Sequence, residues 1–377
     1  MSLRRVKALA RKEFIQMTRD PLSLIGALFI PLMMIFLFGY ALSLDVDRIP
    51  TVVLDLDRTP ASRDLIHRLA DSRYFRVSQY LDAPSEIDAA LDSGRALMGL
   101  VIDSGFAARV KAGRSAPIQA IFDGSDSNTA SIAIGYLKAV AAEYDIDLQG
   151  ARLRRAGMKI ADMPIEARIR VWFNPELKSK NFIIPGLTAV VMMVVSSLMT
   201  ALSISKEKET GTLEQLVSTP LTSGELMVGK LIPYLCVGLI DMAMVVCAGI
   251  VIFGVPFRGS YLELLITALI FQIGTLSWGL LLSVVSKSQT QASQLAMITV
   301  FLPSFLLSGF IYPIENMPWV LQAITLIVPA RYFVEILKGL FLRGVGLDYL
   351  WPQTLALLLY ALLVLNLARK RFSKRII

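Results

Sequence analysis

Six long, predominantly apolar runs constrain this chain more than any other feature. Hydrocarbon offers no water to the backbone, so a segment that enters a bilayer must pair its own N–H and C=O groups. A helix needs about 20 apolar residues to cross. The runs are roughly Leu22–Leu44, Phe182–Ile204, Leu231–Phe253, Tyr261–Val285, Gln291–Tyr312 and Leu350–Ala368. With 55% hydrophobic residues among 377, the composition is that of a membrane protein.

The charge distribution orients these spans. Residues 45–180 carry 19 Lys/Arg against 19 Asp/Glu, so this block is neutral and the formal net charge of +8 lies elsewhere. Six basic side chains fall in residues 1–21 and five in the final ARKRFSKRII; others lie in the loop 206–230 and at Lys287. Cationic segments beside spans stay cytoplasmic. Six spans put all four groups on one side, with both termini, and leave block 45–180 outside. A seventh span over 318–342 would bury Arg331, Glu335 and Lys338 and export the basic tail. The positive balance therefore concerns orientation and anionic membrane lipid, with no nucleic acid required. The expected fold is an α-helical integral membrane protein of six transmembrane helices, with an α/β extracytoplasmic domain inserted between the first and second spans. Its parts are a cytoplasmic amphipathic interfacial helix (1–21), a first span (22–44), a periplasmic α/β domain (45–180) and a five-helix bundle (181–377).

In residues 3–19, Leu3, Val6, Ala10, Phe14 and Met17 recur at helical spacing with basic residues on the other faces, a pattern that predicts an interfacial helix ended by Asp20-Pro21. The initial apolar run is too long for a normal signal-peptide core, so it is read as an uncleaved span. In the polar block, strands are expected at 49–55, 74–80, 96–102, 117–123 and 167–173, and helices at 61–72, 84–94 and 127–148. VVLDLDRT (52–59) matches the hhhDxDxT pattern of haloacid-dehalogenase-type phosphatases, and IFDGSDSN (121–128) resembles a weak acidic metal loop. No strand supplies the lysine that such chemistry needs, so these aspartates are read as turn and helix caps. His67 is the only histidine, which excludes His-rich metal sites, and no metal site is expected. Cys236 and Cys247 stand 11 residues apart on one span, too far to bond to each other.

Between the second and third spans lies SISKEKETGTLEQLVSTPLTSGELMVGKL (203–231). Its GELMVGK resembles a phosphate loop, but Leu231 stands where the hydroxyl residue belongs and no strand precedes it. The chain is expected to have no catalytic residues and no ATPase activity of its own. Thr212 and Gln215 fit one capping box and Thr222 and Glu225 another. The short helix so defined shows Leu213, Leu216 and Val217 on one face, while Glu207, Glu209 and Glu214 remain available for basic partner groups. Asp241 is the clearest polar anomaly inside a span; a cation- or proton-linked role and a hydrogen bond between helices both remain open. Gln272, Ser277 and Gln294 are weaker candidates for the same path. Residues 318–344 read as two short helices broken at Pro329, with Arg331, Glu335 and Lys338 spaced to pair with one another.

EKETGTLEQLVSTPLTSGELMVGK resembles the E-x-GT-x-E-x-L-x-x-TP…GK signature of type 2 ABC exporter permeases. RKEFIQMTRDP, VWFNPELKSKNFIIPG (171–186), FLPSFLLSGFIYPIENMP and VPARYFVEILKGLFLRG are similar to the same family, so the resemblance covers nearly the whole chain. It implies a coupling helix within 205–229, with Glu207, Glu209, Gly211, Thr212, Leu213, Glu214, Leu216, Thr219 and Pro220 facing a separate ATPase subunit that carries ATP and magnesium. It implies re-entrant outer helices within 313–348, a second permease copy or sister permease, and a periplasmic adaptor of the membrane-fusion type. The expected role is export of small amphiphilic compounds or drugs across a bacterial inner membrane. A permease for a lipid or lipid-linked polysaccharide remains open, as does a non-transporting receptor or scaffold.

Overall fold

The computed structural model describes residues 2–41, 47–155, 172–175, 178–212 and 219–376. The chain divides into a helical unit, Met1–Ser43 with Arg170–Ile377, and a second unit, Leu44–Ile169. The first opens with α1 (Leu3–Thr18) and α2 (Pro21–Ala41). Asp20 and Pro21 separate these helices because proline restricts the residue before it to extended backbone. The buried face of α1 is Val6, Leu9 and Glu13, whereas Leu3 and Phe14 are exposed. The stripe that faces protein thus includes a glutamate, because α1 packs on another helix around a buried charge, while Leu3 and Phe14 of the spacing pattern remain outside that contact.

The second unit builds a four-stranded sheet from β1 (Ile49–Asp55), β2 (Phe75–Tyr80), β3 (Met98–Ile102) and β4 (Ile118–Phe122), in the order β2-β1-β3-β4. β1 runs parallel to β2 and β3, and β4 is antiparallel to β3. The two central strands are buried on both faces, which is why VVL and MGLVI are continuous apolar runs without alternation. On one face pack α3 (Pro60–Asp71), α5 (Phe106–Ala112) and the long α6 (Ser127–Arg155), through Leu65, Leu69, Phe106, Ala133 and Tyr144. α4 (Ser85–Asp92) covers the other through Ile87 and Ala90. The sequence pattern missed α5. The expected closing strand fails at Trp172 and Phe173, which are not extended-sheet residues, and 167–171 lie outside the described residues.

The helical unit continues with α7 (Ser179–Glu209), α8 (Ser223–Val251), α9 (Tyr261–Val285), α10 (Gln289–Leu307), α11 (Trp319–Thr325), α12 (Pro329–Arg343) and α13 (Leu347–Ile376). Among the described residues six helices, α2, α7, α8, α9, α10 and α13, are long and apolar enough to cross a membrane. α11 and α12 form a pair bent by 83°, as a re-entrant segment or broken span would be. Pro185 and Pro233 sit inside unbroken helices. Upstream of Pro303, by contrast, α10 widens into a π turn at Met297–Phe301, where the ring removes a donor from the regular ladder. α7 is the central helix and packs on α2, α8, α9, α10 and α12.

Small residues let these helices approach. The Ser197 hydroxyl donates to the Thr275 carbonyl at 3.0 Å and Thr200 Oγ1 to the Leu276 carbonyl at 3.1 Å, across a contact where Gly279 leaves no room for a Cβ beside Thr200 and the Ser197 carbonyl. Gly279→Ala is expected to force α7 and α9 apart and destabilise the chain by about 1–3 kcal/mol. The check is thermal unfolding in mild detergent, with Gly135→Ala, where a Cβ meets nothing within 4 Å, causing no loss.

Candidate functional site

The polar loop after α7 sits on a block tied together by buried charge. Lys230 of α8, only 1% exposed, reaches Glu13 of α1 at 3.0 Å and Glu207 of α7 at 2.7 Å. Lys12 closes the ring, at 2.8 Å from Glu13 and 2.7 Å from Glu207. Two ammonium and two carboxylate groups thus neutralise one another where three helices meet. Burial works against the charged Glu13, but Lys230 and then Lys12 override it and hold its carboxyl below the ordinary glutamate value. Burial likewise opposes the Lys12 charge, and its hydrogen bonds to Glu13 and Glu207 win and raise it.

This geometry corrects one expectation. Glu207 is 2% exposed and engaged by both lysines, so it is not available to a partner. Lys230, in the GELMVGK stretch that fails as a phosphate loop, lies inside α8 and pairs with two glutamates. Sequence reasoning missed the cluster. Glu13 interrupting the apolar face of α1 was the only signal, and its partners are about 200 residues away in the chain.

Further ties converge on the same end. The Glu225 carboxylate accepts hydrogen bonds from the Thr222 N–H at 3.0 Å and the Ser2 N–H at 2.5 Å, so the expected capping box also anchors the start of α1. Arg5 donates to the Pro220 carbonyl at 2.7 Å. Lys208 donates to the Ser283, Val284 and Ser286 carbonyls at the end of α9. Glu209 accepts from the Gln289 N–H at 2.8 Å. Gly211 ends α7 with φ +70 in open space, a left-handed position that glycine takes without strain. Thr212, Thr219 and Pro220 are exposed, and the Thr212 hydroxyl turns back toward Thr210 at 3.0 Å. Leu213, Glu214, Gln215, Leu216 and Val217 lie outside the described residues, and so does the core of the expected coupling helix.

The residues expected to line a path separate. Gln272 is fully buried, accepting from the Ser196 hydroxyl at 2.6 Å and donating to the Gly238 carbonyl at 3.4 Å, and so joins α7, α8 and α9. Ser277 donates to the Ile273 carbonyl of its own helix at 2.6 Å, and Gln294 is exposed on α10. Asp241 is 1% exposed, and its Oδ1 finds no hydrogen-bond donor among the described residues. Arg331, Glu335 and Lys338 share α12 but form no ion pair with one another, contrary to expectation. Arg331 bonds to Thr325, Lys338 donates to the Gly309 carbonyl at 3.1 Å over the Phe182 ring, and Glu335 is exposed. Cationic side chains on this short helix reach carbonyls and rings of neighbouring segments more readily than a solvated glutamate.

The phosphatase-like aspartates are structural. Asp55 accepts from the Asp57 N–H, the Arg58 N–H at 2.9 Å and the Ser62 hydroxyl at 2.7 Å. Asp57 accepts from Thr59 Oγ1 at 2.6 Å and from the Gly105 and Ala107 N–H groups, capping α5. The Thr59 hydrogen bond, ahead of the backbone donors, holds the Asp57 carboxyl below its usual range. Among the described residues no group of three or more His, Cys, Asp or Glu could hold a metal.

Lys230→Met is expected to leave Glu13 and Glu207 sharing the single ammonium of Lys12, with one buried negative charge uncompensated, and to destabilise the chain by about 3–5 kcal/mol. The triple change with Glu13→Gln and Glu207→Gln should recover most of that loss. Because the Glu13 carboxyl titrates lower in the folded chain, its contribution is fully present above the ordinary value of 4.5 and disappears as pH falls through the lowered one. Limited proteolysis of α1 against pH, with Glu13→Gln as the flat control, measures this.

The family profile described as ABC-2 family transporter protein matches residues 22–370. The chain is 39% identical over 345 residues to the Escherichia coli K12 "Probable multidrug ABC transporter permease YbhS", covering 91% of this chain and 90% of that protein. It is 31% identical over 372 residues to "Probable multidrug ABC transporter permease YbhR" of the same organism, covering 99% of each, and 29% identical to its "Inner membrane transport permease YhhJ" over 87% of this chain and 86% of that one. With six span-length apolar helices and a profile match over nearly its whole length, the chain is an integral-membrane member of the ABC-2 transporter family.

Proposed function

We propose that this chain is the membrane-spanning permease of an ATP-driven exporter that moves small amphiphilic compounds out of the cytoplasm or inner leaflet. The observation that carries the reading is the tied block beneath residues 211–222. α1, α7, α8 and the α9–α10 turn are fastened there by charge and hydrogen bonds. A partner pressing on that loop moves several helices together instead of deforming one turn. The relatives' names favour drug-like cargo and an inner-membrane location, and the basic segments beside the spans favour a cytoplasmic position for this end.

In this reading a separate ATPase subunit, holding ATP and magnesium, docks on Gly211–Pro220. Its nucleotide-driven closure shifts two permease copies, or a permease and its sister, between inward-open and outward-open states through differential affinity for the two. The α/β unit stands on the periplasmic side, where it meets an adaptor. α11 and α12 cap the outer end of the path.

Glu214→Arg reverses a charge in the docking segment and leaves Lys12, Glu13, Glu207 and Lys230 unaltered in sequence. Purified in mild detergent, the tagged wild-type chain is expected to carry a stoichiometric ATPase subunit, and the variant to lose at least ten-fold of it. Recovery of periplasmic partners alone, indifferent to the change, would overturn the exporter reading.

A further inference from the structure

Asp241 is a buried acid whose Oδ1 finds no donor, and with which no cationic side chain pairs, among the described residues. In residues 21–41, 181–205, 231–251, 264–285, 289–307 and 349–368, which form the central parts of the six spans, it is the only Asp, Glu, Lys, Arg or His. The ionised groups on elements packed against α8 lie toward the helix ends and are largely engaged there. Lys12 and Glu13 of α1, with Glu207 of α7 and Lys230, form the buried cluster; Lys206 pairs with Asp20, and Lys208 and Glu209 hold the α9–α10 turn. Glu263 at the start of α9 accepts from the Leu347 N–H. Asp348 stands at the start of α13, Arg369 to Arg371 stand near its end, and α2 carries none. Lys230 itself is 11 residues away, about 16 Å along the helix at 1.5 Å per residue. The nearest titratable group on the same face is Tyr234, which carries no positive charge. A second copy would carry the same spans, whose central parts hold no Asp, Glu, Lys, Arg or His other than Asp241.

At 1% exposure, with Oδ1 lacking a donor among the described residues, a bare carboxylate here is costly without a counter-charge. Three residues earlier on the same face, Gly238 admits the Gln272 amide so closely that a Cβ there would lie 2.8 Å from it. The carboxyl therefore stands one turn from a polar junction linking three helices, with Val237, Met242 and Val245 buried around it in sequence. A single acid among apolar side chains suits a weakly hydrated organic cation. A metal ion would need several further oxygen ligands.

We infer that Asp241 is the counter-charge for a lipophilic organic cation, an assignment that rests on the exporter reading and narrows its cargo to cationic amphiphiles. On binding, the carboxyl O–H bond breaks, the proton leaves to solvent, and the carboxylate pairs with the cation. Net charge at the site is neutral before and after. Binding is therefore proton-competitive: affinity rises with pH while the acid form persists, and flattens once the proton is gone.

The probe is radiolabelled tetraphenylphosphonium, measured by equilibrium binding to the purified full chain with its ATPase subunit from pH 5.5 to 8.5. The expected result is saturable binding that tightens with pH, falls at least ten-fold in Asp241→Asn with loss of the pH dependence, and is retained in Asp241→Glu. Absence of saturable binding, or binding that Asp241→Asn leaves unchanged, overturns the assignment. Stoichiometric ATPase recovery and a single size-exclusion peak for each variant show that the chain is folded. If cation binding fails while that recovery holds, only this inference falls. Loss of ATPase recovery from the wild type would instead strike the exporter reading itself.

Discussion

The ring formed by Lys12, Glu13, Glu207 and Lys230 is the interaction on which the loop end of the helical unit depends. Two glutamates almost wholly removed from water would repel each other and each would be strongly destabilised alone. Lys230 lies between them on a third helix, so the three helices are held in one arrangement or the charges are left uncompensated. Such a cluster contributes little net stability compared with an apolar core of similar volume. It ties the relative placement of α1, α7 and α8 to the neutralisation of two buried carboxylates.

Elsewhere in the unit, polar side chains join helices without charge. Ser197 and Thr200 meet the α9 carbonyls across Gly279, and Gln272 reaches both α7 and Gly238. Lipid is as apolar as leucine, so hydrophobic burial alone does not select one helix packing over another. Close approach at small residues and satisfied hydrogen bonds do. Asp241 stands apart from this pattern as a buried carboxyl whose Oδ1 has no hydrogen-bond partner among the described residues. The apolar stacking of Phe271 on Phe333, with centroids 4.1 Å apart, completes the bundle where α12 meets α9.

Much of this architecture was legible before any coordinates. Hydrophobic length located the six span-length helices, since a spanning segment must be helical and its length is fixed by the bilayer. Thr222 and Glu225 announced the start of α8 because a capping box is local. Asp57 and Thr59 read correctly as caps for the same reason, although Asp57 proved to cap α5, a helix the pattern did not show. Packing on α8 decided which stripe of α1 faces protein, with Val6 buried and Leu3 and Phe14 exposed. The misjudged features depended on partners distant in sequence. Glu207 looked like a surface charge within a polar run, and Arg331, Glu335 and Lys338 looked like a paired set on one face.

The sequence by itself determined that this is a membrane chain with a neutral polar block and a capped polar loop, because apolar length, charge placement and capping act over a few residues. Tertiary structure alone decided which charges are buried and with whom, that Lys230 pairs with Glu13 and Glu207, and that Asp241 finds no donor for its Oδ1 among the described residues. Those outcomes depend on which helices touch. In a bilayer that choice turns on close-range fit and on the neutralisation of charge, and neither is written in a window of neighbouring residues.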